Sequence, residues 1–225
     1  MSIHLIENPR HQARRVPHGL YAITDPNLTP PASIVDKAKL AILGGACMIQ
    51  YRDKTADWVL RQRQAMALAR LCNDYCIPLI INDDARLARA VGAHGVHLGM
   101  NDMTIAEARS ILGDAAIIGA SCYDDFARAE NAWRGGADYV AFGSFYPSLT
   151  KPQAITADLE LLRHARRILG IPVCAIGGIT AENAALLIRA GATLVAVISG
   201  VFAQPDPRAA ARNITRCFAA EVCRT

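Results

Sequence analysis

No apolar stretch in this chain approaches the eighteen or so residues needed to cross a bilayer. The longest, Leu194 to Ala203, is interrupted by Ser199 and Gly200. Residues 1 to 15 lack the apolar core of a secretory signal, so the chain reads as cytoplasmic, with no membrane partner. Neither sign of charge dominates: 24 Lys and Arg against 20 Asp and Glu leave a net charge of +4. Aromatic residues are only 6% of the chain, and no basic stripe interleaves with them, which excludes the usual footprint of a nucleic-acid binder. Arg10, Arg14 and Arg15 read as a solvated tail, and the cations from Arg163 to Arg167 suit a helix C-terminus, where they complement the macrodipole. Cys-x-x-Cys is absent. The seven cysteines (47, 72, 76, 122, 174, 217 and 223) are odd in number, and no second ligand pair at zinc spacing accompanies Cys72 and Cys76. They read as reduced, small apolar side chains. What is present is a globular composition, 52% hydrophobic and 20% charged, over 225 residues, enough to bury a core without disulfide or structural metal.

From residue 18 onward, short β-rich runs alternate with longer helical ones. The strand candidates are 19–24, 47–52, 78–82, 95–98, 116–121, 138–143, 172–176 and 193–198. Their apolar residues are continuous rather than alternating, the mark of parallel strands buried on both faces. Eight helix candidates lie between and after them: 33–43, 57–75, 85–91, 104–112, 124–134, 156–169, 181–190 and 208–219. Thr104 with Glu107 has the capping-box pattern, Thr180 with Asn183 a weaker version, and Pro207 suits a first helical position. A Gly-Ala corner leads into a strand at Gly92, Gly136 and Gly191. Eight units of about 26 residues with no linker predict a closed (β/α)8 TIM barrel, 18–225, behind an N-terminal extension, 1–17.

In such a barrel the chemistry lies at the carboxyl ends of the strands. After the second strand, Gln50, Arg52 and Lys54 share one face because strand side chains alternate, and they place an amide and two cations at the mouth, suited to a polyanion. Asp83 and Asp102, from neighbouring units, suit one hard cation such as Mg²⁺, held by two carboxylates with waters and phosphate oxygens. The competing role is helix capping, which fits Asp84 better than Asp83. His94 and His97 are offset by three on a strand, hence on opposite faces, and His97 reads as a satisfied core histidine. Ser148, Thr150 and Lys151 on a proline-stiffened loop suit an anionic substrate. Gly177-Gly178 after the seventh strand and Ile198-Ser199 after the eighth bracket the place where barrels bind phosphate with backbone N–H groups.

Taken together, Gln50-Tyr51-Arg52-Asp53-Lys54, Ile81-Asn82-Asp83-Asp84, Gly95-Val96-His97-Leu98-Gly99, Gly119-Ala120-Ser121, Pro147-Ser148-Leu149-Thr150-Lys151, Ala175-Ile176-Gly177-Gly178-Ile179 and Val197-Ile198-Ser199 resemble thiamine phosphate synthases. The likeness runs from about Gly19 to Phe218. It implies transfer of a hydroxymethylpyrimidine group from its diphosphate to a thiazole phosphate, with Mg²⁺ as cofactor and pyrophosphate released. On that resemblance Gln50, Arg52, Lys54, Asn82, Ser121 and Lys151 bind the pyrimidine diphosphate, Tyr51 and Asp53 join the substrate-binding residues, and Arg52, Lys54, Ser121 and Lys151 are the catalytic set. Asp83 and Asp102 hold the metal. Ser148, Leu149, Thr150, Gly177, Gly178, Ile198 and Ser199 face the thiazole phosphate. Two positions depart from the family pattern: Met100 stands where Gln is common, and Tyr123 where His is common. The partners implied are the two small molecules; a homo-oligomer is compatible with the sequence. Thiazole tautomerase relatives share the phosphate cradle but need not keep the cationic diphosphate site, and a non-catalytic sensor of a phosphorylated ligand shares the fold.

Overall fold

The computed structural model describes residues 16–55, 57–147 and 157–222. Eight parallel strands close into a barrel in chain order: β1 (Gly19–Ile23), β2 (Ala46–Tyr51), β3 (Leu79–Asn82), β4 (Gly95–Leu98), β5 (Ile117–Tyr123), β6 (Tyr139–Phe142), β7 (Val173–Ile176) and β8 (Leu194–Val197). Between them run α1 (Ile34–Leu43), α2 (Trp58–Asp74), α3 (Ala85–Val91), α4 (Ile105–Leu112), α5 (Phe126–Arg134), α6 (Leu159–Ile168) and α7 (Ala184–Arg189), and after β8 come α8 (Ser199–Phe202) and α9 (Pro207–Val222). The predicted TIM barrel is the observed one. Most of the predicted extension, residues 1–15, lies outside the described residues, but Val16 is buried and packs into the barrel interior.

Most strands are apolar on both faces because each face has its own core. Leu20, Ala22, Ile49, Leu79 and Ile81 point outward against the helices. Tyr21, Ile23, Met48, Ile80, Tyr139, Cys174 and Leu194 point inward and fill the barrel. Alternation therefore persists in position although hydropathy does not alternate.

Local chemistry sets the helix starts. Thr104 and Glu107 form the full capping box, and the side chains of Asp57, Asp84, Asp125 and Asp158 accept backbone N–H groups at the starts of α2, α3, α5 and α6. Pro207 opens α9 as expected. Two expectations need correction. Thr180 does not start α7: its N–H donates to Asn183 Oδ1 at 2.9 Å, half of a capping box, and regular helix begins only at Ala184. The described residues also hold nine helices rather than eight, because Ser199, expected in a phosphate-binding turn, opens the four-residue α8. A single helical turn is too short to show periodicity in a sequence.

One close approach arranges the interior. Gly119 on β5 is the register partner of Tyr139 on β6, and a Cβ at Gly119 would overlap the Tyr139 ring. Only glycine lets that ring fold across the barrel. Gly119→Ala is expected to lower stability by about 2 kcal/mol through overpacking. Urea unfolding checks this; an unchanged midpoint would show that the ring has room to move. Among the described residues, no helix is long and apolar enough to cross a membrane.

Candidate active site

A cavity of about 670 Å³ opens at the carboxyl ends of the strands. Its wall includes Gln50, Arg52, Lys54, Asn82, Asp83, Asp102, Ser121, Gly177, Gly178, Ile198 and Ser199, so loops from six strands bring the expected residues together. Tyr51 and Asp53 are not among these wall residues. They follow the opposite parity of β2. Tyr51 is buried, and its hydroxyl donates to Gln64 Oε1 at 2.6 Å, while Asp53 Oδ1 accepts the Thr55 N–H at 2.8 Å. Ser148, Leu149, Thr150 and Lys151 lie outside the described residues.

The cations are held from below. Arg52 takes the Thr24 hydroxyl through its N–H at 3.0 Å, and its guanidinium stands 3.8 Å from Asp25, a carboxylate at the end of β1. Lys54 Nζ is 3.0 Å from Asp83 Oδ2. Asp83 itself has φ 65, the left-handed conformation that aspartate tolerates better than most residues. Its N–H donates to the His97 carbonyl at 2.8 Å, which ties the β3 end to β4. Asp84 caps α3, as the sequence suggests, and pairs with Arg61 at 3.1 Å.

Asp102 reaches Asp83 from the next loop. Gly99 N–H donates to Asp102 Oδ2 at 2.6 Å, curling the β4–α4 loop so that the two carboxyl groups meet. Burial is the main cause holding Asp102 above the usual carboxylate range; the Gly99 bond opposes it, while the hydrogen bond with Asp83 and the charge of Asp83 add to it. Two carboxyl groups from adjacent loops converge here. Among the described residues no third His, Cys, Asp or Glu completes a metal cage. This donor set fits a small, hard cation that keeps its remaining positions for water and phosphate oxygens.

Across the mouth, Gly177 has φ 106 and Gly178 φ 61, and a Cβ at either would overlap the β6 loop at Ser144 or Pro147. The glycines therefore let this turn pack closely on the β6 loop, and both line the cavity next to Ser199 at the start of α8.

Below the carboxylates runs a polar chain that the sequence did not disclose. Gln50 Nε2 donates to Tyr21 Oη at 2.6 Å, Tyr21 Oη lies 3.0 Å from Tyr139 Oη, His97 Nδ1 is 2.9 Å from that hydroxyl, and His97 Nε2 is 2.8 Å from Ser121 Oγ. Burial pushes His97 down to about 4, against the pull of Asp83, so the ring is neutral near pH 7. Burial likewise raises Tyr21 and Tyr139. An amide nitrogen only donates, so the arrangement with every interior hydrogen paired runs from Gln50 to Tyr21, Tyr139, His97 and Ser121. It leaves the Ser121 O–H to be donated into the cavity. His97 is thus a satisfied core histidine, as expected, and also part of the cavity wall. Tyr139→Phe would orphan two buried partners and is expected to cost about 2 kcal/mol. Chemical denaturation checks this, and a loss below about 0.5 kcal/mol would mean the chain is not continuous.

Met100 and Tyr123, the two departures noted in the sequence, both lie on the rim and both touch Arg128.

A family model described as thiamine monophosphate synthase matches residues 20–201. The thiamine-phosphate synthase of Nitrosococcus oceani is 56% identical over 200 residues, covering 89% of this chain and 92% of that protein. That of Thioalkalivibrio sulfidiphilus is 53% identical over 200 residues, covering 89% of this chain and 95% of its own length. Among solved structures, a thiamine phosphate pyrophosphorylase from Pyrococcus furiosus superposes with a TM-score of 0.81 at 36% identity, covering 95% of this chain and 98% of that one.

Proposed function

The chain belongs to the thiamine monophosphate synthase family, and we propose on that footing that Asp83 and Asp102 hold a magnesium ion around which the diphosphate of one substrate is gathered. The activity is the family's: a pyrimidine carried as its diphosphate condenses with a thiazole phosphate to give thiamine phosphate and pyrophosphate. The observation that carries the site assignment is the meeting of two carboxylates from adjacent loops beside Lys54, opposite a glycine-lined turn.

The bond to pyrophosphate breaks as negative charge builds on the leaving group. Arg52 and Lys54, with Lys151 assigned by the family resemblance, would stabilise that charge. Magnesium, when bound, supplies Lewis-acid neutralisation of the diphosphate oxygens. Gln50 and Ser121 orient the pyrimidine; the Ser121 hydroxyl, held by His97, has its hydrogen free for a ring nitrogen. The electron-rich aminopyrimidine carries transient positive charge on its methylene carbon. The thiazole nitrogen then attacks, with its phosphate seated against Gly177, Gly178, Ile198 and Ser199. The family resemblance assigns Ser148, Leu149 and Thr150 to the same phosphate. No protein nucleophile is needed, in keeping with thiols that burial holds high, Cys122 at about 12 among them.

A cytoplasmic location is part of the proposal; the free cysteines at 47, 72, 76, 122 and 174 support it. The test is pyrophosphate release by the purified chain with both substrates, with and without a chelator. Loss of release on chelation and recovery with Mg²⁺ are expected. Full turnover in the chelator would remove the metal from the proposal.

A further inference from the structure

Among the described residues, one cation on the cavity wall has no carboxylate partner. Arg128, in the first turn of α5, is partly buried and lines the cavity. Its backbone N–H is taken by Asp125, the cap of α5. Its guanidinium rests on an apolar seat: Nη2 is 2.8 Å from Met100 Sδ, and Cζ lies 5.8 Å from the centre of the Tyr123 ring. Among the described residues it enters no ion pair. Arg52 and Lys54, the other cations on this wall, each face an aspartate, at 3.8 and 3.0 Å.

A thioether is a weak acceptor, and the face of a ring attracts a cation without neutralising it. Such partners hold a guanidinium in place yet leave its charge uncommitted. A carboxylate there would compete with any incoming anion. The seat itself is unusual. Met100 and Tyr123 are 56% and 41% exposed, so neither is there to fill a core. Tyr123 also ends β5 at φ 57, a left-handed conformation rarely taken by a bulky side chain.

Location fixes the class of anion. Met100 lies in the loop that Gly99 N–H closes onto Asp102, so Arg128 stands against the carrier of one carboxylate, while Lys54 is paired with the other. β8, which leads into the Ile198-Ser199 part of the glycine-lined cradle, is opposite β4 in the closed barrel. We propose that Arg128 is a further substrate-binding residue: its guanidinium leaves Met100 and Tyr123 to grip the diphosphate of the pyrimidine substrate from the side opposite Lys54. The inference rests on the reading that Asp83 and Asp102 gather that diphosphate.

Arg128→Gln, Arg128→Ala and Arg128→Lys are compared with Asp83→Ala in steady-state kinetics with each substrate varied. Calorimetric titration with Mg²⁺ and inorganic pyrophosphate runs beside them, and circular dichroism checks folding. The Gln and Ala variants are expected to raise KM for the pyrimidine diphosphate about tenfold or more and to weaken pyrophosphate by a similar factor. KM for the thiazole phosphate should stay within about twofold, and Lys should restore part of the loss. Unchanged KM and pyrophosphate affinity would overturn the proposal, as would an equal rise in both KM values. If Asp83→Ala loses turnover while the Arg128 variants behave as wild type, only the Arg128 assignment falls. If Asp83→Ala is itself unimpaired, the reading beneath it falls as well.

Discussion

Asp83→Ala is expected to lower turnover at saturating Mg²⁺ by on the order of 10³-fold or more. The substitution removes one of the two carboxylates proposed to hold the ion and frees Lys54, which is 3.0 Å from it. The Asn variant separates charge from shape, because asparagine tolerates the left-handed backbone at φ 65 as well as aspartate does. Turnover by the Asn variant should fall nearly as far, while thermal unfolding stays unchanged or shifts upward as repulsion with Asp102 is relieved. Pyrophosphate release measured across a Mg²⁺ titration checks both. Near-normal turnover in either variant would strip Asp83 of its role as a ligand.

Lys151→Ala is expected to lower kcat by about 10² or more. Its place in the account comes from sequence: a lysine in a proline-bounded loop after β6, in the motif Pro147-Ser148-Leu149-Thr150-Lys151. A departing pyrophosphate gains charge in the transition state, so a cation facing it lowers kcat when removed, whereas a cation that binds only the ground state raises KM. Single-turnover kinetics distinguish the two. An unchanged rate of the chemical step would make Lys151 a surface residue.

The barrel was legible because its strands are short, continuous apolar runs separated by capped helices, and both signals depend on local sequence. Asp83 and Asp84 were separable for the same reason: a cap belongs immediately before its helix, and Asp84 stands there. Strand parity likewise put Gln50, Arg52 and Lys54 on the cavity, and it argues against Tyr51 and Asp53, which motif matching alone had added. What stayed hidden depends on contacts far apart in the chain. Tyr21 and Tyr139 read as core aromatics, and only a closed barrel shows that their hydroxyls join Gln50 to His97 and Ser121. Asp25 beneath Arg52 ends a strand with nothing local to mark it as a partner 27 positions away. Arg128 sits on an ordinary helical face. Its meaning comes from Met100 and Tyr123, which two different loops bring to it.

The most direct measurement is a crystal structure of the chain with Mg²⁺ and an unreactive pyrimidine diphosphate analogue. The account predicts one ion bound by both Asp83 and Asp102, bridged to the diphosphate, with Lys54 on the same oxygens. An ion held elsewhere, or a diphosphate seated at Gly177 and Gly178 away from the carboxylates, would contradict it.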